Sequence, residues 1–429
     1  MTKNKMIHLK LTTIAARTAF ALIALSACAL MIYLAVAGFV IGVFSDGRYR
    51  VDRGQLAAAI NRFPDSARLH YRFADLEMKS IDRDLSRAET YARNAVRLSP
   101  FNFNHHLLLS SVLEAKRDYP ASEASLREAA RLAPNDMETH WRLANLLVRQ
   151  GRLDSSLEEF RRALASSATL LPASLDLVWR LSGSSVDAVR SIVSEDAAAK
   201  MILTRFLLKQ SHPDEAVEVF NSIDPGSRLA SAESPAMLQE LINAGRVDLA
   251  RKLWGELTAV ATETLIRNPG FEEEFFKDFI QFDWQITRSP YARLGIDPTS
   301  GRTGSRSLLV EFIGRDTTRL DQEVRQLVLV EPGVRYRLSC YVKTDSLVSP
   351  QGPRIAVIDY KTGTLLAQSA PVSAGTSDWQ SLEVDFLAPA AERRGGAAVY
   401  ITIRRVPEFK YDDPTRGILW FDDFSISRQ

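Results

Sequence analysis

Histidine, carboxylate and aromatic side chains recur in this sequence at spacings that invite chemistry. His70, His106 and His140 lie 36 and 34 residues apart, at one place of a repeating pattern. A zinc ion needs every ligating nitrogen within about 2.1 Å, whereas helices carrying equivalent positions in successive units pack about 8–10 Å apart. One ion cannot bridge the rungs, so the imidazoles are read as packing groups. Trp141, Asn145 and Arg149 are spaced by four and share a helical face. An aromatic beside an amide and a guanidinium suits a peptide segment or a carboxylate; inter-helix packing of Trp141 with a solvated Arg149 explains the same pattern. Tyr360, Trp379, Tyr400 and Arg404 fall at strand positions whose parity could place them on an outer face, where a ring can stack on a sugar or pack against the neighbouring strand. Asp422 alternates in phase with Trp420, Phe424 and Ile426. If those point inward, a buried carboxylate needs a partner, and no lysine or arginine close by in sequence is an obvious one.

Nothing in the sequence matches a catalytic signature: there is no His-Glu-x-x-His, no Gly-x-Ser-x-Gly and no phosphate loop, and the pair Asp412-Asp413 is too common a feature to indicate a glycosidase. The chain is therefore read as a non-enzyme. Cys28 and Cys340 are the only cysteines; the first lies in an apolar segment and the second in a strand pattern, so no disulfide framework can be read. A formal charge of +2 on 106 charged side chains leaves no footprint for nucleic acid.

The elements that position these residues begin with an internal repeat. Leu98-Ser99-Pro100-Phe101-Asn102 and Leu132-Ala133-Pro134-Asn135-Asp136 lie 34 residues apart, and Phe63-Pro64-Asp65 precedes them by 36. That period indicates stacked helix-turn-helix units. Small residues align within it: Ala88, Ser122 and Ser156, then Ala95, Ala129 and Ala163 seven further on. Over Asp65 to Ala168 the sequence resembles the tetratricopeptide repeat family in degenerate form. The resemblance implies a scaffold whose first helices line a partner groove, here Tyr71, Asp75 and Lys79, then Asn104, Leu107, Ser111 and Glu114, then Trp141, Asn145 and Arg149. It also implies that the histidines occupy a slot often held by an aromatic side chain. Leu56, Ala59, Ile60 and Phe63 form a capping helix ahead of the array.

Ahead of that helix, no charge occurs between Thr18 and Ser45, and Ala19 to Phe44 is long enough to cross a hydrocarbon core of about 30 Å. With Lys3, Lys5, Lys10 and Arg17 before it, the segment reads as a retained membrane span with the basic tail in the cytoplasm and the remainder outside; the rival readings are a cleaved signal ending at Ala35-Val36-Ala37 and a lipidated Cys28 in Leu25-Ser26-Ala27-Cys28.

Beyond Ala168 the period loosens. Gln150-Gly151-Arg152-Leu153-Asp154 has a near copy in Ala244-Gly245-Arg246-Val247-Asp248, where glycine is expected to end one helix in the left-handed conformation and aspartate to cap the next. Further helical pairs are expected over Ala197 to Ile223 and Pro235 to Ala261, with an irregular pair between Pro172 and Val193. Near Thr264 the period changes from helical to alternating: Val334, Tyr336, Leu338, Cys340 and Val342 alternate with polar residues after the turn Pro332-Gly333, as do Leu382, Val384 and Phe386, and Val399, Ile401 and Ile403. The fold class is thus multidomain, α then β: a transmembrane helix, an α-solenoid of tetratricopeptide-like hairpins, and an antiparallel β-sandwich. The boundaries are 1–17 for a cytoplasmic tail, 18–45 for the span, 46–263 for the array and 264–429 for the sandwich.

Asn268-Pro269-Gly270-Phe271-Glu272, Trp284, Gly304-Ser305-Arg306-Ser307-Leu308 and the closing Trp420-Phe421-Asp422-Asp423-Phe424 resemble the jelly-roll carbohydrate-binding modules of the xylan- and glucan-binding type, within the galactose-binding-like group. That resemblance implies a polysaccharide partner and a structural calcium, with Glu272 and Asp422 among its ligands and Asp423 in reserve if a bulge shifts parity. A hydrogen-bonded structural carboxylate is the other reading of Asp422. Together these readings give a membrane-anchored extracytoplasmic scaffold that binds protein through its repeats and glycan through its sandwich, in envelope or exopolysaccharide assembly of a bacterial inner membrane facing the periplasm. The alternative is a structural interaction scaffold whose sandwich binds no sugar.

Overall fold

The computed structural model describes residues 13–46, 49, 51–166, 168–261, 264–390, 395–408, 411 and 413–429. The basic residues Lys3, Lys5 and Lys10, and Asp412, lie outside them. The chain divides into two compact units, Met1–Ser194 and Glu195–Gln429.

The first unit is helical. Helix α1 (Ile14–Ser45) is followed by α2 (Arg53–Arg62), α3 (Ala67–Lys79), α4 (Leu85–Leu98), α5 (Phe103–Ala115), α6 (Tyr119–Leu132), α7 (Met137–Arg149), α8 (Leu153–Ser166), α9 (Leu171–Leu181) and α10 (Val186–Ser191). Aspartate or asparagine side chains start several of these helices by accepting orphan backbone N–H groups: Asp52 forms a capping box with Gln55, Asp84 accepts from Ser86 and Arg87, Asn102 from Asn104, Asp118 from Ala121 and Asp136 from Thr139. The aligned small residues Ala88, Ala95, Ala129, Ala163, Ser122 and Ser156 are all fully buried. With no side chain beyond Cβ or a hydroxyl, they let α3/α4, α5/α6 and α7/α8 close into hairpins. Gly151 does take the left-handed conformation, at φ 73°, but the equivalent turn one repeat earlier uses Arg117 at φ 65°. Asp154 lies inside the first turn of its helix instead of capping it. The residues 17–45 of α1 are long and apolar enough to cross a membrane, and its last turns, at Ile41 and Phe44, pack on the cluster of Leu56, Ile60, Leu69 and Phe73.

The second unit starts with helices: α11 (Ala197–Lys209), α12 (Pro213–Asn221), α13 (Pro225–Ala230), α14 (Ser234–Asn243) and α15 (Val247–Thr258). Gly245 is left-handed at φ 78°, yet Arg246, and not Asp248, stands at the N-cap of α15, without a side-chain cap. Ten strands follow: β1 (Gln285–Ile286), β2 (Ala292–Asp297), β3 (Ser307–Ile313), β4 (Leu320–Val330), β5 (Arg335–Val348), β6 (Arg354–Asp359), β7 (Leu365–Gln368), β8 (Gly375–Leu387), β9 (Ala397–Arg405) and β10 (Arg416–Arg428). All pairings are antiparallel, in two five-stranded sheets ordered β1-β4-β9-β6-β7 and β2-β3-β10-β5-β8. Alternate residues of both sheets, among them Val328, Val357, Val399 and Ile401 on one side and Leu338, Cys340, Val342 and Phe421 on the other, form the sandwich core.

The opposite face of the first sheet is covered too. Leu327, Ala356, Ile358, Ala398 and Thr402 alternate with the core residues and are nonetheless buried, and α15 packs against β4. Trp254 of α15 is fully buried, donates its Nε1–H to the carbonyl of Phe279 at 2.8 Å, and meets the rings of Phe276 and Phe282 edge-on at 5.6 and 5.8 Å. The change of period near Thr264 therefore separates helical from strand sequence but does not separate compact units.

Candidate functional site

The histidine ladder is a set of fasteners. In each repeat the imidazole Nε2 meets the carbonyl of the proline six residues upstream: His70 to Pro64 at 2.8 Å, His106 to Pro100 at 2.8 Å and His140 to Pro134 at 2.9 Å. The prolines sit in the turns ahead of α3, α5 and α7, so a buried ring ties each turn to the helix that follows it. This is a hydrogen-bonding role that the spacing did not disclose.

Those same helices present the candidate groove. Tyr71 is half-buried, its ring 5.4 Å from that of His105, and burial, together with the Asp75 carboxylate, pushes its hydroxyl pKa up. Asp75 holds Arg72 at 2.9 Å and Lys79 at 2.7 Å. On the next two helices Arg142 donates to the Ser111 hydroxyl at 2.6 Å, Glu114 pairs with Arg149, and the Asn145 amide donates to the Trp141 carbonyl at 2.8 Å. Asn104 is exposed. Leu107 is not part of this face: it is buried with Leu126, Leu143 and Leu147. Trp141 leans edge-on against the buried Phe160 of α8 at 5.3 Å, so part of its ring packs within its own hairpin. Arg149, read from sequence as a free cation or a solvated one, is held by Glu114. Sequence reasoning missed Arg142 and its partner Glu138, 2.5 Å away; their i,i+4 opposite charges were the available signal.

The sandwich residues fall in two places. Trp379 lies on β8, at the edge of the second sheet. Arg404 lies on β9 of the first sheet and is paired with Asp321 at 2.9 Å. Tyr400 and Tyr360 come together, because Tyr400 is in register with Ile358 and Tyr360 follows β6 directly. Both line a cleft of about 870 Å³, whose other wall is helical and includes Asp214, Gln239, Asn243 and Arg246, with Lys361 also bordering it. Arg325 stacks on the Tyr400 ring at 4.6 Å.

Glu272, Asp422 and Asp423 converge on the loop 302–306. Asp422 is fully buried, but not by the parity expected: Trp420 is half-exposed, with its Nε1–H donated to Asp297 at 2.8 Å, while Leu419 and Phe421 fill the core. A bulge at Asp423, φ 50°, then returns Phe424 to the inside. Burial raises the Asp422 carboxyl pKa, while its oxygens accept the amides of Arg302 at 2.7 Å, Thr303 at 3.3 Å and Asp423 at 2.7 Å. One Glu272 oxygen accepts the amides of Ser305 at 2.9 Å and Arg306 at 2.7 Å. Gly304 must be glycine here, since at φ 73° a Cβ would stand 2.4 Å from the Glu272 carboxylate. The Arg302 guanidinium pairs with Asp423 at 2.7 Å and stacks on Tyr341 at 3.4 Å.

Calcium takes six to eight oxygens at about 2.3–2.6 Å, and these residues do not fit that demand. Peptide N–H groups occupy the carboxylate oxygens, an arginine supplies the positive charge, and among the described residues no group of three or more His, Cys, Asp or Glu is placed to hold a metal ion. Hydrogen bonds thus hold Glu272 and Asp422, the two ligands expected for calcium, in this arrangement. The melting temperature should differ by no more than about 1 °C between calcium and chelator, and Glu272→Ala should lower it equally in both. A rise in calcium that Glu272→Ala abolishes would restore the metal.

Residues 82–136 and 107–170 match the tetratricopeptide repeat family model. Residues 82–170 carry tetratricopeptide repeats. Similar solved structures include MamA, at 13% identity over 40% of this chain and 83% of that one with a TM-score of 0.27. YrrB, described as a TPR protein with an unusual peptide-binding site, is similar at 14% identity over 49% and 95% with a TM-score of 0.26. A CBM4 structure is similar at 16% identity over 38% and 99% with a TM-score of 0.28. No curated protein matches the chain. The matched tetratricopeptide segments span α4 to α8, and so contain Asn104, Glu114, Trp141, Asn145 and Arg149.

Proposed function

We propose that this protein is a membrane-anchored scaffold, rather than a catalyst, that holds an extended protein segment against α3, α5 and α7 and engages glycan through its C-terminal β-sandwich, on the extracytoplasmic side of a bacterial envelope. The observation that carries the protein-binding part is the run of polar groups shared across successive repeats: Tyr71 and Asp75 on α3, Ser111 and Glu114 on α5, Arg142, Asn145 and Arg149 on α7. Paired charges and amides along one face offer a peptide backbone both donors and acceptors. The apolar α1 supports the anchor, and Tyr400 on β9 with Tyr360 in the turn after β6 supports the glycan half.

A photo-reactive residue in place of Asn104 or Asn145 is expected to cross-link one discrete protein in intact cells, while the same residue at exposed Arg97 on α4 gives none. Equal cross-linking at all three positions would remove the groove. A reporter active only outside the cytoplasm, fused after Gln429, should be active; a silent fusion with an active cytoplasmic counterpart would reverse the topology.

A further inference from the structure

The cleft of about 870 Å³ in the second unit has one wall from the sandwich and one from the helices. We infer that it binds a neutral oligosaccharide, gripped jointly by the tyrosines of the first sheet and by α14; this deepens, and rests on, the glycan half of the function proposed above.

Charge argues for a neutral ligand. Arg246 is paired with Asp214 at 2.7 Å and with Asp248 at 3.1 Å, so these ionic groups at the cleft answer one another. A phosphate or carboxylate ligand would have to break those pairs. Ala244, Gly245 and Gly395 line part of the cleft with small side chains or none, which leaves room for a ring.

What remains is chemistry suited to hydroxyl groups on a ring. Gln239 donates to the Asn243 carbonyl oxygen at 3.0 Å. That bond leaves the Asn243 amide hydrogens and the Gln239 carbonyl as a fixed donor and acceptor on the exposed side of α14. Opposite them, Tyr360 and Tyr400 offer aromatic faces for the C–H surface of a sugar and hydroxyls for its edge. The tyrosines are held in place: Asp359 accepts the amides of Lys361 and Thr362 at 2.8 and 2.9 Å, which shapes the turn carrying Tyr360, and Arg325 backs Tyr400.

The test titrates the full-length protein in detergent with the hexasaccharides of β-1,4-glucose, β-1,4-xylose and β-1,3-glucose, and with a neutral Gly-Ser decapeptide, by calorimetry. At least one hexasaccharide should bind and the peptide should not. Tyr400→Ala should weaken binding about tenfold and Asn243→Ala about fivefold, the loss of one stacking and one hydrogen-bonding contact respectively. Tyr400→Phe should stay within about twofold, which separates lost stacking from lost folding. Trp379→Ala should leave the affinity unchanged. Binding that survives both Tyr400→Ala and Asn243→Ala but fails in Trp379→Ala moves the site to the second sheet, overturning the cleft and keeping glycan binding. Binding of the peptide in place of the sugars overturns the ligand class, and no binding to any hexasaccharide overturns the glycan half itself.

Discussion

Trp254→Ala is expected to destabilise the second unit by about 3–5 kcal/mol, the range for truncating a large buried aromatic. Three losses combine. The ring leaves a cavity where Phe276 and Phe282 met it, the Phe279 carbonyl loses its donor, and the Arg251 guanidinium, 4.8 Å from the ring, loses the face it stacks on. Because α15 covers the first sheet, the damage should spread beyond the helix. Hydrogen exchange of the full chain should show β4 and β9 losing protection together with α15. If α15 opens while those strands keep wild-type protection, the helices and the sandwich fold as separate bodies.

Asp283→Ala should cost a similar amount, about 3–5 kcal/mol, by a different route. The Asp283 carboxylate is fully buried and receives Arg267 through both oxygens at 2.8 Å, the Phe276 amide at 2.9 Å and the Trp284 amide at 2.8 Å. Its removal leaves a guanidinium buried against Phe276 with only the exposed Glu273 carboxylate at 3.1 Å and the Glu274 carbonyl at 3.0 Å as partners. The double variant Arg267→Met, Asp283→Leu should recover most of the loss, because it removes the buried charge along with its main partner. Chemical denaturation measures both. A loss for Asp283→Ala below about 1 kcal/mol would mean that water reaches Arg267 and the pair is not dry.

Much of the backbone is legible from sequence because it is written in local periods. The 34-residue spacing, the buried alanines and the alternation of Val334 to Val342 each follow from one element packing on its neighbour. What escaped depends on segments far apart in the chain. The bulge at Asp423 switches which residues of the strand face inward, and two of the amides that Asp422 accepts come from a loop about 120 residues earlier. The cover over the first sheet is likewise invisible in Leu327, Ile358 and Ala398 alone: they look like ordinary strand residues until Trp254 and α15 are in place. Of the candidate glycan-binding residues, Tyr400 and Tyr360 border one cleft, whereas Asn243 and Gln239 across it carry no strand signal and lie in helix. Arg117 in a left-handed turn shows the limit from the other side, since no glycine marks it.

The histidine ladder is uneven in its hydrogen-bond partners. Each Nε2 faces a proline carbonyl, which can only accept, so each ring must carry its hydrogen there. On the first rung the Nδ1 atom of His70 is buried without a partner. On the third, Nδ1 of His140 faces the Glu159 carboxylate at 2.6 Å, again an acceptor. Units that are near copies in sequence thus differ in what their imidazoles touch, and an array that looks translationally periodic to its backbone is not periodic in its polar contacts.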